Sequence, residues 1–243
     1  MAMARGRPQR SLLEPMRAKA WLAGVMKASG ATNAYQVAKR FDKELQKRFE
    51  KYARGAISPT ITTLILVEKK FQNTRRVYDE GPADRVPLWK AMDGPVEAAW
   101  ECLVRYDPEF ERMRQGGASH EARVRLLLEK LKLGPVKADL IAWQKGLEAN
   151  VLPSRIDQST DIQQGIGLDE LAALIAIWRV SLFIGIETHF VLYLLEGVCR
   201  SVVTQKLLEP WGIELGEFLD FLGIARLKPR SVQPFASATL NAC

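Results

Sequence analysis

Residues 43–54 of this 243-residue chain are rich in side chains that donate hydrogen bonds to anions. They comprise Lys43, Gln46, Lys47, Arg48, Lys51 and Arg54. Among them Leu45, Phe49 and Tyr52 recur at the spacing of one face of an α-helix, which predicts that this face packs on a core and the polar residues point away. Arg and Lys bind phosphates and guanine edges, and Gln binds adenine, so the pattern indicates recognition of a nucleic acid. The alternative is an ordinary solvated helix face.

Two further basic groups lie near this helix. Arg75 and Arg76 follow a Lys69-Lys70 pair and are candidates for a phosphate clamp, although cations also favour a helix C-terminus for its dipole alone. Arg5, Arg7 and Arg10 belong to an N-terminal arm that could enter a minor groove or be a simple tail.

The charge of the chain is concentrated in its first third. Residues 1–80 hold 17 Lys and Arg against 7 Asp and Glu, a net charge of +10. Residues 81–243 hold 18 against 21, a net charge of −3, so the whole chain has a net charge of +7. This asymmetry predicts a polyanion-binding segment joined to a neutral body.

Groups suited to catalysis or metal binding are sparse in the sequence. The only histidines, His120 and His189, are far apart, and the three cysteines lack the close spacing of a zinc site or a disulfide framework. Glu97, Glu101, Glu109 and Glu111 cluster, but an acidic solvated face explains them equally well. We therefore expect no enzyme activity, metal or cofactor.

The longest apolar stretch, 171–203, contains five ionisable residues, which would be costly in a membrane. It is expected to form buried helix, with most of its aromatic residues in a core. The aromatic residues are Trp178, Phe183, Phe190 and Tyr193, and Leu194 is expected in the core with them. The few cysteines favour a reducing, cytoplasmic compartment, and the ionisable residues of the apolar stretch argue against a membrane partner.

Helical periodicity throughout, without alternating β-branched runs, predicts an all-α protein with two helical domains. In the first domain, Gly30 ends one helix, and Thr32 or Asn33 caps a second helix that runs through Phe41. Ser58-Pro59 opens a further helix that is expected to bury Ile61, Leu64, Ile65, Val67 and Phe71. Further helices are expected over residues 96–106, 119–133, 136–149, 168–184, 187–208 and 215–222.

Turn residues and composition divide the chain into five parts. Asp79-Glu80-Gly81-Pro82 and Asp93-Gly94-Pro95 bound a linker, which Leu88 and Trp89 are expected to pack on a neighbouring element. The parts are a basic arm (1–14), a basic helical domain (15–78), the linker (79–95), a larger helical domain (96–226) and an extended tail (227–243).

The basic domain resembles the Cro/C1-type (XRE-like) helix-turn-helix family over residues 15–75. Val37-Ala38 stands at the family's small-residue position, Gly55 ends the recognition helix and Pro59 follows four residues later. The resemblance implies a bacterial or phage type of transcriptional regulator that binds duplex DNA, generally as a dimer on two half-sites.

The role of the larger helical domain stays open. It could form a homodimer seam or bind a second protein, or its apolar residues could be core alone. The alternative for the whole chain is a helical adaptor or assembly subunit whose helix-turn-helix-like segment contacts protein or RNA. Asp42-Lys43, where the family has a turn glycine, favours this alternative.

Overall fold

The computed structural model describes residues 11–41, 43–131, 166–185 and 188–224, without the side chains of 188–190 and 193. These residues form thirteen α-helices and one 3₁₀ turn, and no strand occurs among them. The predicted all-α class is confirmed.

The first part of the fold is a group of helices joined by short connections. They are α1 (Leu13–Ser29), α2 (Ala34–Ala38), α3 (Lys43–Ala53), α4 (Ile61–Lys70), α5 (Thr74–Asp79) and α6 (Leu88–Asp93). The remaining helices are α7 (Val96–Tyr106), α8 (Glu109–Gln115), α9 (His120–Lys130), α10 (Leu168–Ile184), α11 (Thr188–Cys199), α12 (Val202–Leu208) and α13 (Leu215–Phe221), with the 3₁₀ turn at Glu209–Trp211.

Helix α1 belongs to both hydrophobic cores of the molecule. Trp21, Leu22 and Val25 pack with α2, α3 and α4 in the smaller core. Leu13 and Met16, nearer its start, pack in the larger core with the helices of the body. Because α1 is buried in both cores, this one helix connects the basic helices to the rest of the chain.

Polar contacts also attach α1 to the end of the described chain. Lys19 Nζ lies 2.8 Å from Glu217 Oε1 on α13, and its side chain is largely buried. Lys27 Nζ lies 5.4 Å from the centre of the Trp211 ring. The N-terminal helices therefore contact the body at a second place along α1.

The segment expected as a linker contains α6, and it is packed. Leu88 and Trp89 are buried, as predicted, and Trp89 Nε1 donates to the Val77 carbonyl oxygen at 2.9 Å. Asp169 at the start of α10 accepts from the amides of Arg85 and Val86 at 2.9 and 2.8 Å. Residues 79–95 thus join the larger core, while the division into domains stays a prediction.

Arg179 of α10 explains how an arginine is accommodated in the apolar stretch. Its guanidinium donates to the carbonyl oxygens of Lys90, Ala91 and Gly94 at the end of α6. Burial lowers the pKa of Arg179, and the nearby Asp93 carboxylate opposes this shift. The cation thus binds the carbonyl oxygens at the end of α6, where the helix dipole is negative, and this stabilises the α6 C-terminus.

Several predicted helix ends are confirmed. Gly30 ends α1 with φ +67° and the Asn33 side chain caps α2 by accepting from the Gln36 amide at 2.9 Å. Gly55 has φ +64°, and a Cβ there would lie 2.9 Å from Pro15 Cβ. Any other residue would be strained at Gly55 and would push α1 away from the end of α3.

The predicted start of α4 is wrong, and its predicted buried face is only partly confirmed, since Leu64 and Val67 are buried as expected but Ile61 and Ile65 are not. Thr60, and not Ser58-Pro59, caps the helix by accepting from the Thr63 amide at 3.2 Å. Ile61 and Ile65 are 69% and 42% exposed, because α4 packs through its opposite face, which includes Leu64 and Val67. Helix α2 also ends at Ala38 and does not reach Phe41.

Two expectations about the body also need correction. The helix expected over 187–208 is interrupted, because the Ser201 side chain caps a new helix, α12, at the Thr204 amide. Phe183 was expected in the core but is 74% exposed, whereas Leu194 is buried. The arm with Arg5, Arg7 and Arg10, the helix at 136–149, the tail and the side chains of His189, Phe190 and Tyr193 lie outside the described residues.

Candidate nucleic-acid interface

Helix α3 has one buried face and one cationic face. Leu45, Phe49 and Tyr52 are buried, as the sequence predicts. Lys43, Lys47, Lys51 and Arg54 are exposed, and at 100° per residue they lie on the face opposite the buried side chains. The outer face of α3 therefore presents a row of cations to solvent, with the exposed acidic residues Glu44 and Glu50 beside them.

A cluster of aromatic rings fixes the buried face. Trp21 of α1 stacks with Phe49 at a centroid distance of 6.3 Å and meets Tyr52 edge-on at 5.4 Å. Phe41, in the connection between α2 and α3, stacks with Phe49 at 5.4 Å and meets Phe71 at 6.2 Å. Offset and edge-to-face contacts of this kind set the rotation of α3 about its axis.

The three lysines of the outer face are available to bind an anion. The side chains of Lys43, Lys47 and Lys51 make no hydrogen bond or ion pair with any residue that the structure describes. Arg54 Nε makes a 3.4 Å contact with the Glu50 carbonyl oxygen within its own helix. A phosphate could therefore bind these lysines without first displacing a carboxylate from the described chain.

Two predicted site residues on α3 are already engaged. Arg48 Nη2 lies 2.8 Å from Glu44 Oε1, one turn earlier on the helix. The Gln46 side chain is half-buried, not directed outward, and its Nε2 donates to the Phe41 carbonyl oxygen at 2.9 Å. Gln46 thus closes the connection between α2 and α3 and is poorly placed to contact a base.

Arg75 and Arg76 lie on α5, and both have partners. Arg75 Nε is 3.1 Å from Asp79 Oδ2. Arg76 Nη1 donates to the Ala83 carbonyl oxygen at 2.7 Å, which ties α5 to the segment that follows it. These contacts assign Arg76 a structural role and leave Arg75 as a partly neutralised cation.

Sequence reasoning missed two cations beside the start of α3. Lys39 and Arg40 follow α2 and are exposed. Lys70 Nζ, at the end of α4, donates to the Arg40 carbonyl oxygen at 2.6 Å and lies 5.1 Å from the centre of the Phe41 ring. The feature of the sequence that could have identified them is that Lys39 and Arg40 are adjacent and come immediately after α2. These two residues extend the cationic surface around the connection between α2 and α3.

Of the candidate catalytic residues in the described part of the chain, the two cysteines are buried and Glu101, Glu109 and Glu111 form ion pairs, whereas Glu97 is exposed. Burial raises the pKa of the Cys102 thiol to about 11 and also raises that of Cys199. Glu111 pairs with Arg114 at 2.8 Å. Among the described residues, no group of three or more His, Cys, Asp or Glu side chains could hold a metal ion, and no helix is long and apolar enough to cross a membrane.

Comparison of the chain with protein-family models, curated proteins and solved structures found no match. The helix-turn-helix resemblance of residues 15–75 therefore stays a prediction from the motif residues.

Proposed function

We propose that this chain binds duplex DNA through the outer face of α3. The observation that supports this proposal best is the row of three unpaired lysines, Lys43, Lys47 and Lys51, opposite a rigidly packed aromatic face. Lys43 and Lys51 are eight positions apart along the helix, a distance of about 12 Å. The major groove of B-DNA, about 12 Å wide, admits an α-helix of this kind.

The exposed cations around the helix have a complementary role in the proposal. Lys39, Arg40 and Lys69 contact phosphates beside the groove, while the lysines of α3 contact the groove edges. A transcriptional regulator of the helix-turn-helix type, binding as a dimer, is the specific form of this proposal. The helices of the body then supply the second contact, with another copy of the chain or with another protein.

The salt dependence of DNA binding tests this proposal. Each phosphate contact releases counterions, so the three lysines alone give a slope of log affinity against log salt of roughly −2.7. Fluorescence anisotropy of a labelled random duplex, measured from low to moderate salt, provides the slope. Affinity that does not respond to salt would refute an interface built on these lysines.

A helical adaptor that contacts protein or RNA is the second candidate function. The exposed apolar residues Ile61, Ile65 and Leu66 on α4 favour it, because they resemble a surface for another protein. The same assay with single-stranded DNA and with RNA separates the two candidates. Preference for RNA, or no binding to any of the three polymers, would favour the adaptor.

A further inference from the structure

Two side chains hold the backbone that follows α2. Gln46 Nε2 on α3 donates to the Phe41 carbonyl oxygen at 2.9 Å, and Lys70 Nζ at the end of α4 donates to the Arg40 carbonyl oxygen at 2.6 Å. The two acceptors belong to consecutive residues. One donor from each of two helices therefore fixes the same short stretch of backbone, which we call the Arg40–Phe41 corner.

Aromatic rings at the smaller core hold the same corner. Phe41 stacks with Phe49 at 5.4 Å and meets Phe71 edge-on at 6.2 Å. Lys70 Nζ lies 5.1 Å from the centre of the Phe41 ring, and the Arg40 guanidinium carbon lies 5.6 Å from the centre of the Phe71 ring. The attraction to the face of a ring favours one position of each cation but does not neutralise its charge.

Helix α2 is too short to hold the corner by itself. It has five residues, whereas isolated helices shorter than about 12 residues are marginal in water. The Arg40 and Phe41 amides donate to carbonyl oxygens of α2 at 3.0 and 2.9 Å, which ties the corner to α2. The carbonyl oxygens of the same two residues accept from Gln46 and Lys70, and these directional bonds set the position of the corner relative to α3 and α4.

The corner carries two cations of the proposed DNA interface. Lys39 and Arg40 are exposed and form no ion pair with any residue that the structure describes. They come just before α3, whose first exposed lysine is Lys43. Groups that are ordered before binding lose less conformational entropy when a partner binds. A fixed corner therefore favours simultaneous contacts of Lys39, Arg40 and the α3 lysines with one duplex.

We propose that Gln46 and Lys70 are positioning residues for DNA binding, because their hydrogen bonds hold the Arg40–Phe41 corner, and with it Lys39, beside the cationic face of α3. This role rests on the proposed function. Gln46 is half-buried and its amide N–H is bonded inside the protein, so it acts without touching DNA. Without the two donors the corner would sample several orientations, and binding would have to order it at a cost in affinity.

Gln46→Met tests the first donor. Methionine has about the length and helix propensity of glutamine and no charge, but it cannot donate to a carbonyl. In the free chain we expect NMR to show the Arg40 and Phe41 amides exchanging with deuterium about threefold to tenfold faster, the range for one lost hydrogen bond. Duplex affinity should fall by a similar factor, while the slope of log affinity against log salt stays unchanged because no cation is lost. Gln205→Met, which changes an exposed glutamine on α12, is the matched control and should alter neither quantity.

Three lysine variants on α4 test the second donor. Lys70→Met removes the donor and one charge, Lys69→Met removes the same charge from the neighbouring exposed lysine, and Lys70→Arg keeps both donor and charge. We expect faster amide exchange at the Arg40–Phe41 corner only in Lys70→Met. Lys70→Arg should keep the exchange rates of the unaltered chain and bind duplex DNA within about twofold of its affinity.

The outcomes separate a failure of the positioning role from a failure of the proposed function. Unchanged exchange at the corner in both Gln46→Met and Lys70→Met would overturn the positioning role. Faster exchange with unaltered duplex affinity would overturn it too, because the corner would then have no effect on binding. Failure of the unaltered chain to bind any duplex would refute the proposed function, and with it the positioning role, before any variant is compared.

Discussion

A chain with Lys43, Lys47 and Lys51 all replaced by alanine is expected to bind duplex DNA about a hundredfold more weakly, at about 1 kcal/mol for each lost lysine. These lysines have no partner among the described residues, so their removal breaks no internal contact. Alanine is the best helix former, and α3 should stay intact. Anisotropy with a labelled duplex at low salt measures the loss, and circular dichroism verifies the helix content.

The matched control removes the same charge from the body. Lys90, Lys130 and Lys206 lie on α6, α9 and α12, outside the proposed interface. Lys90 and Lys130 form ion pairs with Glu101 and Asp107, and surface pairs of this kind contribute little to stability. Equal losses of affinity in both variants would attribute binding to net charge alone and would contradict a role for α3.

Trp21→Ala is expected to lower the free energy of unfolding by about 3–5 kcal/mol, the range for emptying a fully buried tryptophan site. Trp21 is 0% exposed and contacts both Phe49 and Tyr52 of α3. The cavity lies between α1 and α3, so the orientation of the outer face of α3 should loosen as well. Urea unfolding followed by circular dichroism at 222 nm measures the loss of stability.

Tyr35→Ala is the control for the tryptophan substitution. Tyr35 is 59% exposed, and its ring contacts Lys39 in a cation–π pair at 4.7 Å. Because an exposed pair of this type contributes less than about 1 kcal/mol, this variant should unfold near the midpoint of the unaltered chain. A Trp21→Ala chain as stable as Tyr35→Ala would mean that α3 is not held by the aromatic cluster.

The long helices could be predicted from the sequence because their patterns extend over several turns. Both α7 and α10 have the predicted bounds, and Gly30 ends α1 as expected. The short helices α5, α6 and α8 were not predicted, since their six or seven residues hold few turns from which to establish a period, although α13, of similar length, was predicted. Tertiary contacts stabilise them, such as the bond from Arg179 to the end of α6.

The face of α4 shows where hydrophobic patterning fails. Apolar residues occur all around this helix, so the sequence does not specify which side meets the core. The structure buries Leu64 and Val67 and leaves Ile61 and Ile65 exposed. Leu64 and Val67 pack in the smaller core with residues of α1, α2 and α3, and these contacts are distant in sequence.

Part of the candidate interface could be predicted from the sequence, and part could not. Helix α3 is cleanly amphipathic, so its lysines could be placed outward from sequence alone. The Gln46 and Arg76 contacts could not, because their acceptors are backbone carbonyls of Phe41 and Ala83 in connections of irregular shape. A side chain whose type suits a base or phosphate contact can thus be hydrogen-bonded within the protein and be unable to make that contact.

Amide chemical-shift mapping tests the central claim most directly. The isotopically labelled full chain is titrated with a duplex, and backbone amide shifts are followed residue by residue. We expect the largest changes between Lys43 and Arg54 and around Lys39-Arg40, with the amides of α7 unchanged. Changes confined to the body, or to Ile61–Leu66 on α4, would contradict DNA binding through the outer face of α3.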